Sequence, residues 1–385
     1  MSVGGSFSLF SRELDFLFKS ACICRIQPFR DALAMNNIWF TLKRLGLGLI
    51  LIAVAASVLL FSDMRSRRPI QNSETGPDAS KQSHGEKDLT APSGRSFHIG
   101  IAYLAPEQAI DSCLAGLMEG LKELGYEEGK NVKLLKTHAQ GEMLNIPAIM
   151  QNFDSSDIDV LVTFTTPMLQ GACFRIKNKP VVFTCVTDPI AAGAGRSWME
   201  HLEHVTGVGS FPPLDQTMDL IPRLVPGIKS LGTLYNSGEA NSVKIISVMR
   251  ELTRKKGIKL VELTAASSGE VAQTTQGLVA RDVQAIYIPS DNTAYQALDG
   301  ILKVAATAHL PVINDDAEYL SHGMLASVGP GFFQSGKATA PYVARVLLGE
   351  NPANIPMTNV SINVTALNPD VAKKLGITLS PALLR

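Results

Sequence analysis

The sequence predicts an α/β protein built from two homologous, doubly wound parallel-sheet lobes, joined by a hinge around an interlobe cleft. From Phe97 onward, short apolar strand patterns alternate with amphipathic helix patterns, which is typical of a parallel sheet covered on both faces. The second half repeats the first, because Gly100 and Tyr103 recur as Gly232 and Tyr235, and the two numbers of each pair differ by 132. A period of this length indicates two homologous lobes rather than a solenoid.

The predicted elements follow one another in strand–helix order. They are a strand over 98–104, a helix over 111–125, a strand over 131–139, a helix over 143–156 with Pro147 in its first turn, and strands over 158–166 and 180–187 with a short helix between them. The second half repeats three of these segments, because 99–107, 159–167 and 179–188 correspond to 231–239, 284–292 and 310–318. The chain should cross between the lobes near 205–210, 325–330 and 358–364. Lobe 1 is therefore predicted to comprise 97–208 and 329–360, and lobe 2 to comprise 209–328 and 361–385.

The N-terminal part predicts a membrane attachment. After an extension (1–44), the run 45–61 holds 17 uncharged, mostly apolar residues between cationic flanks, close to the length that spans a bilayer. It is either a retained anchor or a cleaved signal, and the anchor is favoured because the small-residue triplet 53–55 falls inside the apolar run. The polar, Pro/Gly/Ser-rich segment 62–96 predicts a flexible linker. Either Met1 or Met35 can serve as the start.

The overall charge gives no sign of nucleic-acid binding, and the cysteines give no sign of a disulfide framework. The 35 basic and 35 acidic residues balance, so no overall charge favours nucleic acid. Two cysteines, Cys22 and Cys24, lie in the N-terminal extension. The other three, Cys113, Cys173 and Cys185, fall in apolar patterns without a disulfide framework and are expected to be small buried hydrophobes.

Polar side chains cluster where the predicted strands end. Ligands of open parallel sheets bind beyond the carboxyl ends of the strands, so these residues should line the cleft between the lobes. The candidate ligand-binding residues are Tyr103, Glu107, Thr165, Thr166, Thr187, Asp188, Tyr235, Asn236, Ser237, Asn241, Ser242, Ser290, Asp291, Asn292, Asp315 and Asp316.

Four stretches together resemble the substrate-binding components of ABC importers, in the subgroup of type I periplasmic-binding fold that includes tryptophan- and tyrosine-binding lipoproteins. They are YNSGEANS (235–242), IPSDNT (288–293), VFTCVTDP (182–189) and the residues Thr166, Pro167 and Gln170. The resemblance covers about 97–380 and implies an extracytoplasmic, monomeric binding protein that serves a permease and an ATPase, without catalysis, cofactor or metal.

Three features depart from that subgroup. The first ligand loop reads YLAPEQAID (103–111), and Pro330, Gly331, Phe332 and Phe333 replace an acidic residue and paired tyrosines. The lipid-attachment cysteine is absent. A membrane-anchored receptor domain that senses a ligand without transporting it is the alternative function.

The strand-tip loops are rich in acids and carry no lysine or arginine, which predicts a ligand with a cationic group such as an α-ammonium. A carboxylate would use neutral donors, namely Thr165, Thr166, Ser237, Ser290 and helix N-termini. The sequence thus favours a zwitterionic amino acid, possibly an aromatic one. It does not identify the ligand or separate transport from sensing.

Individual acids could instead cap helices or turns. Helix capping is favoured for Asp111, Glu239 and Glu318. Ligand contact is favoured for Asp291, for one of the pair Asp315 and Asp316, and above all for Asp188, which follows a buried strand and precedes a proline. Of the aromatic residues near the cleft, only Tyr103 and Tyr235 are given weight, because the repeat places both at strand ends.

Two motif-like stretches imitate other sites. GFFQSGK (331–337) matches a phosphate-binding loop, but Ala338 replaces the magnesium-binding hydroxyl residue, so a helix start is the better interpretation. HLEH (201–204) has two histidines but no third ligand, so a loop pair is expected rather than zinc.

Overall fold

The computed structural model describes residues 88–360, 362–380 and 383. The predicted extension (1–44), the apolar run (45–61) and most of the predicted linker (62–87) lie outside the described residues. Within the described part of the chain, no helix is both long enough and apolar enough to cross a membrane.

Twelve strands form two sheets in the described part of the chain. In chain order they are β1 (Phe97–Tyr103), β2 (Val132–His138), β3 (Val160–Phe164), β4 (Val181–Val186), β5 (Val205–Gly209), β6 (Ser230–Tyr235), β7 (Lys259–Thr264), β8 (Ala285–Ile288), β9 (Val312–Asn314), β10 (Ala326–Pro330), β11 (Thr358–Asn359) and β12 (Asn363–Leu367).

Ten α-helices are described. They are α1 (Gln108–Glu123), α2 (Ile146–Ser155), α3 (Thr166–Arg175), α4 (Leu214–Leu224), α5 (Ala240–Lys255), α6 (Val271–Val279), α7 (Asn292–Gln296), α8 (Leu298–Thr307), α9 (Phe332–Leu347) and α10 (Pro369–Lys374). Short 3₁₀ turns occupy Met143–Asn145, Ser268–Glu270, Ala317–His322 and Pro352–Asn354.

The two sheets repeat one topology, which confirms the predicted two-lobed α/β fold. The sheet of lobe 1 has the order β11-β5-β4-β3-β1-β2, and that of lobe 2 has the order β12-β10-β9-β8-β6-β7. The first five strands of each half therefore occupy equivalent places. All described pairings are parallel except that of β12 with β10, which is antiparallel.

The chain passes between the lobes three times in the described residues. It leaves lobe 1 after β5, returns after β10 to form α9, and leaves again between β11 and β12. Backbone hydrogen bonds tie these passages together, because the amide of Val360 donates to Gly209 and the amide of Gly331 donates to Ile362. The C-terminal residues thus contribute one edge strand to each lobe.

Helix α1 begins at Gln108, three positions before the start of the predicted pattern at 111. Glu107 is its extended N-cap residue, directly after Pro106. Its buried residues include Cys113, Leu117 and Leu121, which recur at helical spacing and face the sheet. The earlier start brings the first turn of the helix to the edge of the cleft.

Helices α1 and α9 pack against each other through glycines. A Cβ at Gly116 would collide with the carbonyl oxygen of Phe333, and one at Gly336 would collide with that of Cys113. Gly120 meets the opposite helix in the same way, at Ala340 and Lys337. Only glycine permits this approach of two backbones, which fixes how the two helices cross.

The end of the predicted linker belongs to the folded part. Leu89 and Ala91 pack against the core of lobe 1, and the Ala91 amide donates to the carbonyl of Leu124 at 2.9 Å. The predicted boundary at Phe97 is therefore too late, because the polar composition around these two apolar residues concealed them.

A disulfide joins Cys113 on α1 to Cys185 on β4, and this corrects the expectation that these cysteines are separate thiols. Cys185 adopts a φ of 53°, and the pairing of β4 with β5 shifts register between Phe183 and Val186. Spacing could not reveal the bond, since 72 residues separate its ends. Cys173 is a buried free thiol.

Replacing both Cys113 and Cys185 by alanine is expected to lower the free energy of unfolding by about 4 kcal/mol, because the bond closes a long loop in the unfolded chain. Urea unfolding followed by circular dichroism measures the change. Dithiothreitol should weaken the wild type to a similar extent and leave the double variant unaffected. As a control, Cys173→Ala should retain the response to dithiothreitol, whereas a wild type that is equally stable in both conditions would contradict the bond.

Candidate ligand-binding cleft

A small cavity of about 40 Å³ lies between the two lobes. This space is enough for a few water molecules. Lobe 1 lines it with Glu107, Ala109, Ile110, Thr165, Thr166, Cys185, Thr187 and Phe332, and Ser210 lines it where the chain leaves this lobe after β5. Lobe 2 adds Asn241, Ser290, Asn292, Tyr295 and Asp316.

Three helices of lobe 1 begin at the cavity wall. Ala109 and Ile110 are in the first turn of α1, Thr165 and Thr166 start α3, and Phe332 is the first residue of α9. Amide groups in the first turn of a helix lack intrahelical acceptors and carry a partial positive charge. This wall is therefore suited to an anion.

Hydroxyl groups add further donors to the same wall. Thr165, Thr166, Thr187 and Ser210 are all buried at the cavity. The hydroxyl oxygen of Thr166 accepts the Thr187 amide, which leaves its proton free to be donated. Thr165 has a φ of 77°, an uncommon conformation for a threonine, at the turn from β3 into α3.

Two carboxyl groups belong to residues that line the cavity, Glu107 and Asp316. Glu107 Oε2 accepts the Tyr319 hydroxyl at 3.4 Å, and Asp316 Oδ1 accepts the Glu318 amide at 3.1 Å. Glu107 Oε1 and Asp316 Oδ2 are buried without a hydrogen-bond partner. Glu107 thus offers a free acceptor to whatever occupies the cavity, whereas the Asp316 carboxyl group also lies within hydrogen-bond reach of the Glu318 carboxyl group.

The surroundings of these acids favour their neutral forms in the empty cleft. Burial, followed by the charge of Glu239, raises the pKa of Glu107 to about 8. Burial, followed by the hydrogen bond and charge of Glu318, raises the pKa of Asp316 well above its usual value. A ligand cation beside these acids would oppose both shifts.

Four buried polar atoms without partners therefore belong to residues that line one cavity: Glu107 Oε1, Thr165 Oγ1, Asn241 Oδ1 and Asp316 Oδ2. Buried polar atoms in folded proteins are almost always hydrogen-bonded. Their convergence indicates a site built for a polar ligand.

Glu239 organises the lobe 2 wall from behind. Its carboxylate accepts hydrogen bonds from the backbone amides and side chains of Asn292 and Thr293, and from the Asn241 amide group. It thereby positions Asn241 and Asn292, which line the cavity. The sequence predicts a helix cap for Glu239, but its side chain makes no capping bond to α5.

Asp291 and Asp315 do not line the cavity, contrary to prediction. Asp291 caps α7 through the Ala294 amide and also accepts from Asn236 and Ser242. Asp315 accepts from the Tyr287 and Ser290 hydroxyls, although burial still raises its pKa to about 7. Local donors therefore occupy Asp291, and only Asp316 of the predicted pair reaches the cavity.

Asp188 is the ligand contact that the sequence favours most, and this prediction is wrong. Its Oδ1 accepts the amides of Ile190 and Ala191 at 2.9 and 3.0 Å, and the side chain is not part of the cavity wall. Two successive free amides in the turn after Pro189 attract the carboxylate more directly than a ligand could. Asp188 is a turn cap.

The repeated tyrosines also point elsewhere. Tyr103 stacks on His138 of the edge strand β2, with ring centroids 5.3 Å apart. Its counterpart Tyr235 donates to Glu262 of the edge strand β7. The strand ends are equivalent, as predicted, but both rings turn toward the neighbouring strand instead of the cavity.

The remaining predicted residues shape the loop after β6. Asn236 donates to the Thr293 hydroxyl and accepts from Gly238, Ser242 donates to Asp291, and Ser237 is exposed. None of these three lines the cavity. The structure thus brings eight predicted residues to the cavity: Glu107, Thr165, Thr166, Thr187, Asn241, Ser290, Asn292 and Asp316.

Six lining residues were not among the predicted ligand contacts: Ala109, Ile110, Cys185, Ser210, Tyr295 and Phe332. Ala109, Ile110 and Phe332 lie in the first turns of their helices, just after loop residues. The sequence could have identified them by that position. Ser210 follows β5 directly and could have been found at the predicted crossing. Cys185 reaches the wall through its irregular strand geometry.

The two motif-like stretches have structural roles. Gly336 of the GFFQSGK segment lies in the helix crossing, and Lys337 pairs with Glu119 and Glu123 of α1 at 2.9 and 2.7 Å. His201 Nδ1 contacts the carbonyl oxygen of Leu202. Among the described residues, no group of three or more His, Cys, Asp or Glu is arranged to hold a metal ion.

Comparisons with known proteins agree with this architecture. Residues 98–385 match the model of a family described as ABC transporter substrate binding protein. A tyrosine-binding protein of Clostridioides difficile (strain R20291) is 29% identical over 283 residues, which cover 74% of this chain and 82% of that relative.

Two solved structures show the same fold. An ABC domain in complex with L-Trp from Streptococcus pneumoniae is 28% identical, with a TM-score of 0.72 over 75% of this chain and 97% of that one. A ligand-free, open substrate-binding protein from Clostridium difficile is also 28% identical and covers 74% and 96%, but the TM-score is 0.58. The lobes described here are thus arranged more like the liganded structure.

Asp188→Ala is expected to lower the free energy of unfolding by about 1 kcal/mol, because the turn loses its cap. Asp188→Asn should retain stability, since an amide oxygen caps equally well. Both variants should bind ligand like the wild type in calorimetric titrations. A large loss of affinity in Asp188→Asn would restore the charge-contact hypothesis.

The closing of the empty cleft should depend on pH through Glu107. Its pKa is about 8 in this closed arrangement, and an opened, hydrated carboxyl group would return to about 4.3. Protons therefore favour the closed form. Protonation of Glu107 stabilises the closed form fully below about pH 4. This stabilisation is lost as the pH rises toward 8, and the equilibrium constant for closing falls by up to about tenfold per pH unit.

Energy transfer between dyes on the exposed positions Lys133 of lobe 1 and Lys303 of lobe 2 would follow this closing in the full-length protein. Glu107→Gln should reduce the pH dependence, and the remainder comes from Asp316, whose pKa burial also raises. Asp111→Asn, which alters an exposed acid in the same helix turn, should leave it unchanged. A pH-independent dye distance in the wild type would contradict the assignment.

Proposed function

The chain belongs to the ABC transporter substrate-binding protein family, and from that membership we propose that it binds a zwitterionic aromatic amino acid between its lobes for an ABC importer. Members of this family bind their substrates without transforming them. The observation that carries the proposal is the division of the cavity into one wall of positive helix ends and two free carboxyl oxygens.

The carboxylate of the ligand would lie against lobe 1. The first turns of α1, α3 and α9 meet there, together with four buried hydroxyl groups. Backbone amides at helix N-termini bind carboxylates without any basic side chain. This accounts for a cavity wall that contains no lysine or arginine.

The ammonium group would lie between Glu107 Oε1 and Asp316 Oδ2, the unpartnered oxygens of the two lobes. A cation there would hold both acids ionised and donate a charge-assisted hydrogen bond to each lobe. The sequence-based choice of Asp188 for this role is thereby replaced by a pair of acids from opposite lobes.

The aromatic character of the ligand is supported by the relatives and by the wall itself. The relatives described above bind tyrosine or L-Trp, as their names state. Ile110, Phe332 and Tyr295 supply apolar and aromatic surface beside the polar groups. This surface can pack against an aromatic ring, whereas a small hydrophilic ligand would leave it in contact with water.

An extracytoplasmic position, with the run 45–61 as a membrane anchor, completes the proposal. The Cys113–Cys185 disulfide supports it, because such bonds persist in oxidising compartments. The apolar run supports it independently, since its length and flanks are typical of a membrane segment or signal.

Isothermal titration of the full-length protein with L-tryptophan and L-tyrosine tests the ligand class. N-acetylation or amidation of the ligand should each weaken binding by about thirtyfold or more, because either change leaves a buried polar group unpaired. Asp316→Asn should weaken the binding of the amino acid while leaving the melting temperature of the empty protein within a few degrees. Equal binding of the N-acetyl derivative would exclude the assigned ammonium site.

Uptake separates import from sensing. Cells that lack this protein should lose high-affinity accumulation of the labelled amino acid and regain it when the wild-type gene is returned. Unchanged uptake together with intact binding would favour the receptor alternative.

A further inference from the structure

A short segment of lobe 2 reaches across the cleft to lobe 1. This segment, here called the clasp, is the 3₁₀ turn Ala317–His322. Three side-chain pairs cross the cleft from it to the start of α1: Tyr319 with Glu107 at 3.4 Å, Glu318 with Ser112 at 3.2 Å, and His322 with Gln108 at 3.3 Å. Away from the hinge passages, these are the side-chain hydrogen bonds that join the lobes in the described residues.

The clasp is tied to its own lobe by hydrogen bonds and a ring contact. Asp316 caps it through the Glu318 amide, and the Asn368 side chain donates to the Leu320 carbonyl. The Tyr319 ring is buried and lies 4.7 Å from that of Tyr295, which lines the cavity. The clasp is thus joined both to lobe 2 and, across the cleft, to lobe 1.

Each cavity acid has one oxygen that is hydrogen-bonded to the clasp and one oxygen without a partner. Glu107 gives Oε2 to Tyr319 and leaves Oε1 free, while Asp316 gives Oδ1 to the clasp backbone and leaves Oδ2 free. A group bound to Glu107 Oε1 therefore acts on the same carboxylate that Tyr319 joins across the cleft.

We propose that Tyr319 is a positioning residue that couples occupancy of the ammonium site to closure of the lobes. A bound cation keeps Glu107 ionised, and an ionised carboxylate accepts the Tyr319 hydroxyl more strongly than a neutral one does. Opening the cleft breaks that bond, so the clasp slows release of the ligand. The inference rests on the proposed function for the cationic group, but the clasp contact itself does not depend on which ligand binds.

Tyr319→Phe removes only the hydroxyl and keeps the ring that packs on Tyr295. The dissociation rate of L-tryptophan or L-tyrosine should rise by about ten- to hundredfold, the effect of one hydrogen bond to a charged group, with little change in the association rate. Stopped-flow displacement on the full-length protein measures both rates. Ser112→Ala, on the opposite lobe, should raise the dissociation rate by a smaller factor because it removes a more exposed pair.

Tyr235→Phe is the matched control. Its hydroxyl also donates to a glutamate, Glu262 Oε2 at 3.3 Å, but within lobe 2 and away from the cavity. This variant should bind and release ligand like the wild type. A structural role for Tyr319 would instead lower the melting temperature of the empty protein in step with the affinity, and that result would overturn the proposal.

Closure of the ligand-free protein provides a readout that needs no ligand. Energy transfer between positions 133 and 303 at pH 6 should show a smaller closed fraction in Tyr319→Phe than in the wild type. Failure of the wild type to bind either amino acid would refute the proposed function alone, because this measurement still tests the clasp. Unchanged closure and an unchanged dissociation rate would refute the clasp.

Discussion

The close contact between helices α1 and α9 is the constraint on which the binding cavity depends. Gly116, Gly120 and Gly336 let the two backbones approach to a distance that no side chain permits. Both helices begin at the cavity, so the crossing decides where two of the three positive helix ends lie. The disulfide from Cys113 then fastens the same helix to β4, and Cys185 itself forms part of the wall. The side of the cavity that is lined by helix N-termini is therefore a product of helix packing, with few side chains dedicated to it.

Much of the fold was readable from the sequence, because periodicity and repetition are properties of whole segments. The strand and helix alternation and the offset between Tyr103 and Tyr235 predicted two equivalent lobes, and the sheet orders confirm them. Contacts that depend on single residues were harder to predict. The docking of Leu89 and Ala91 lies within a polar segment, and the disulfide connects residues that no spacing rule relates.

The candidate site was predictable by position but less so by role. The carboxyl ends of the strands do gather Thr165, Thr166, Thr187 and Asp316 at one cavity. Each acid on a strand end, however, competes for nearby free amides, and sequence alone does not reveal which acid finds them. Asp188 and Asp291 found amides within three residues, whereas Glu107 retained a free oxygen because its helix begins without a side-chain cap. The outcome depends on backbone geometry that only the folded chain defines.

The bond between Cys113 and Cys185 also makes completion of the cavity wall depend on oxidation. Cys185 is part of the wall, so the wall is finished only after two thiols have been oxidised. A newly made chain in a reducing compartment would carry separate thiols there and a helix α1 held by packing alone. Capture of ligand at full strength would then come after synthesis and oxidation, in that order. On the proposed extracytoplasmic function, the chain would therefore bind less of the ligand in the compartment that makes it than in the compartment where it works.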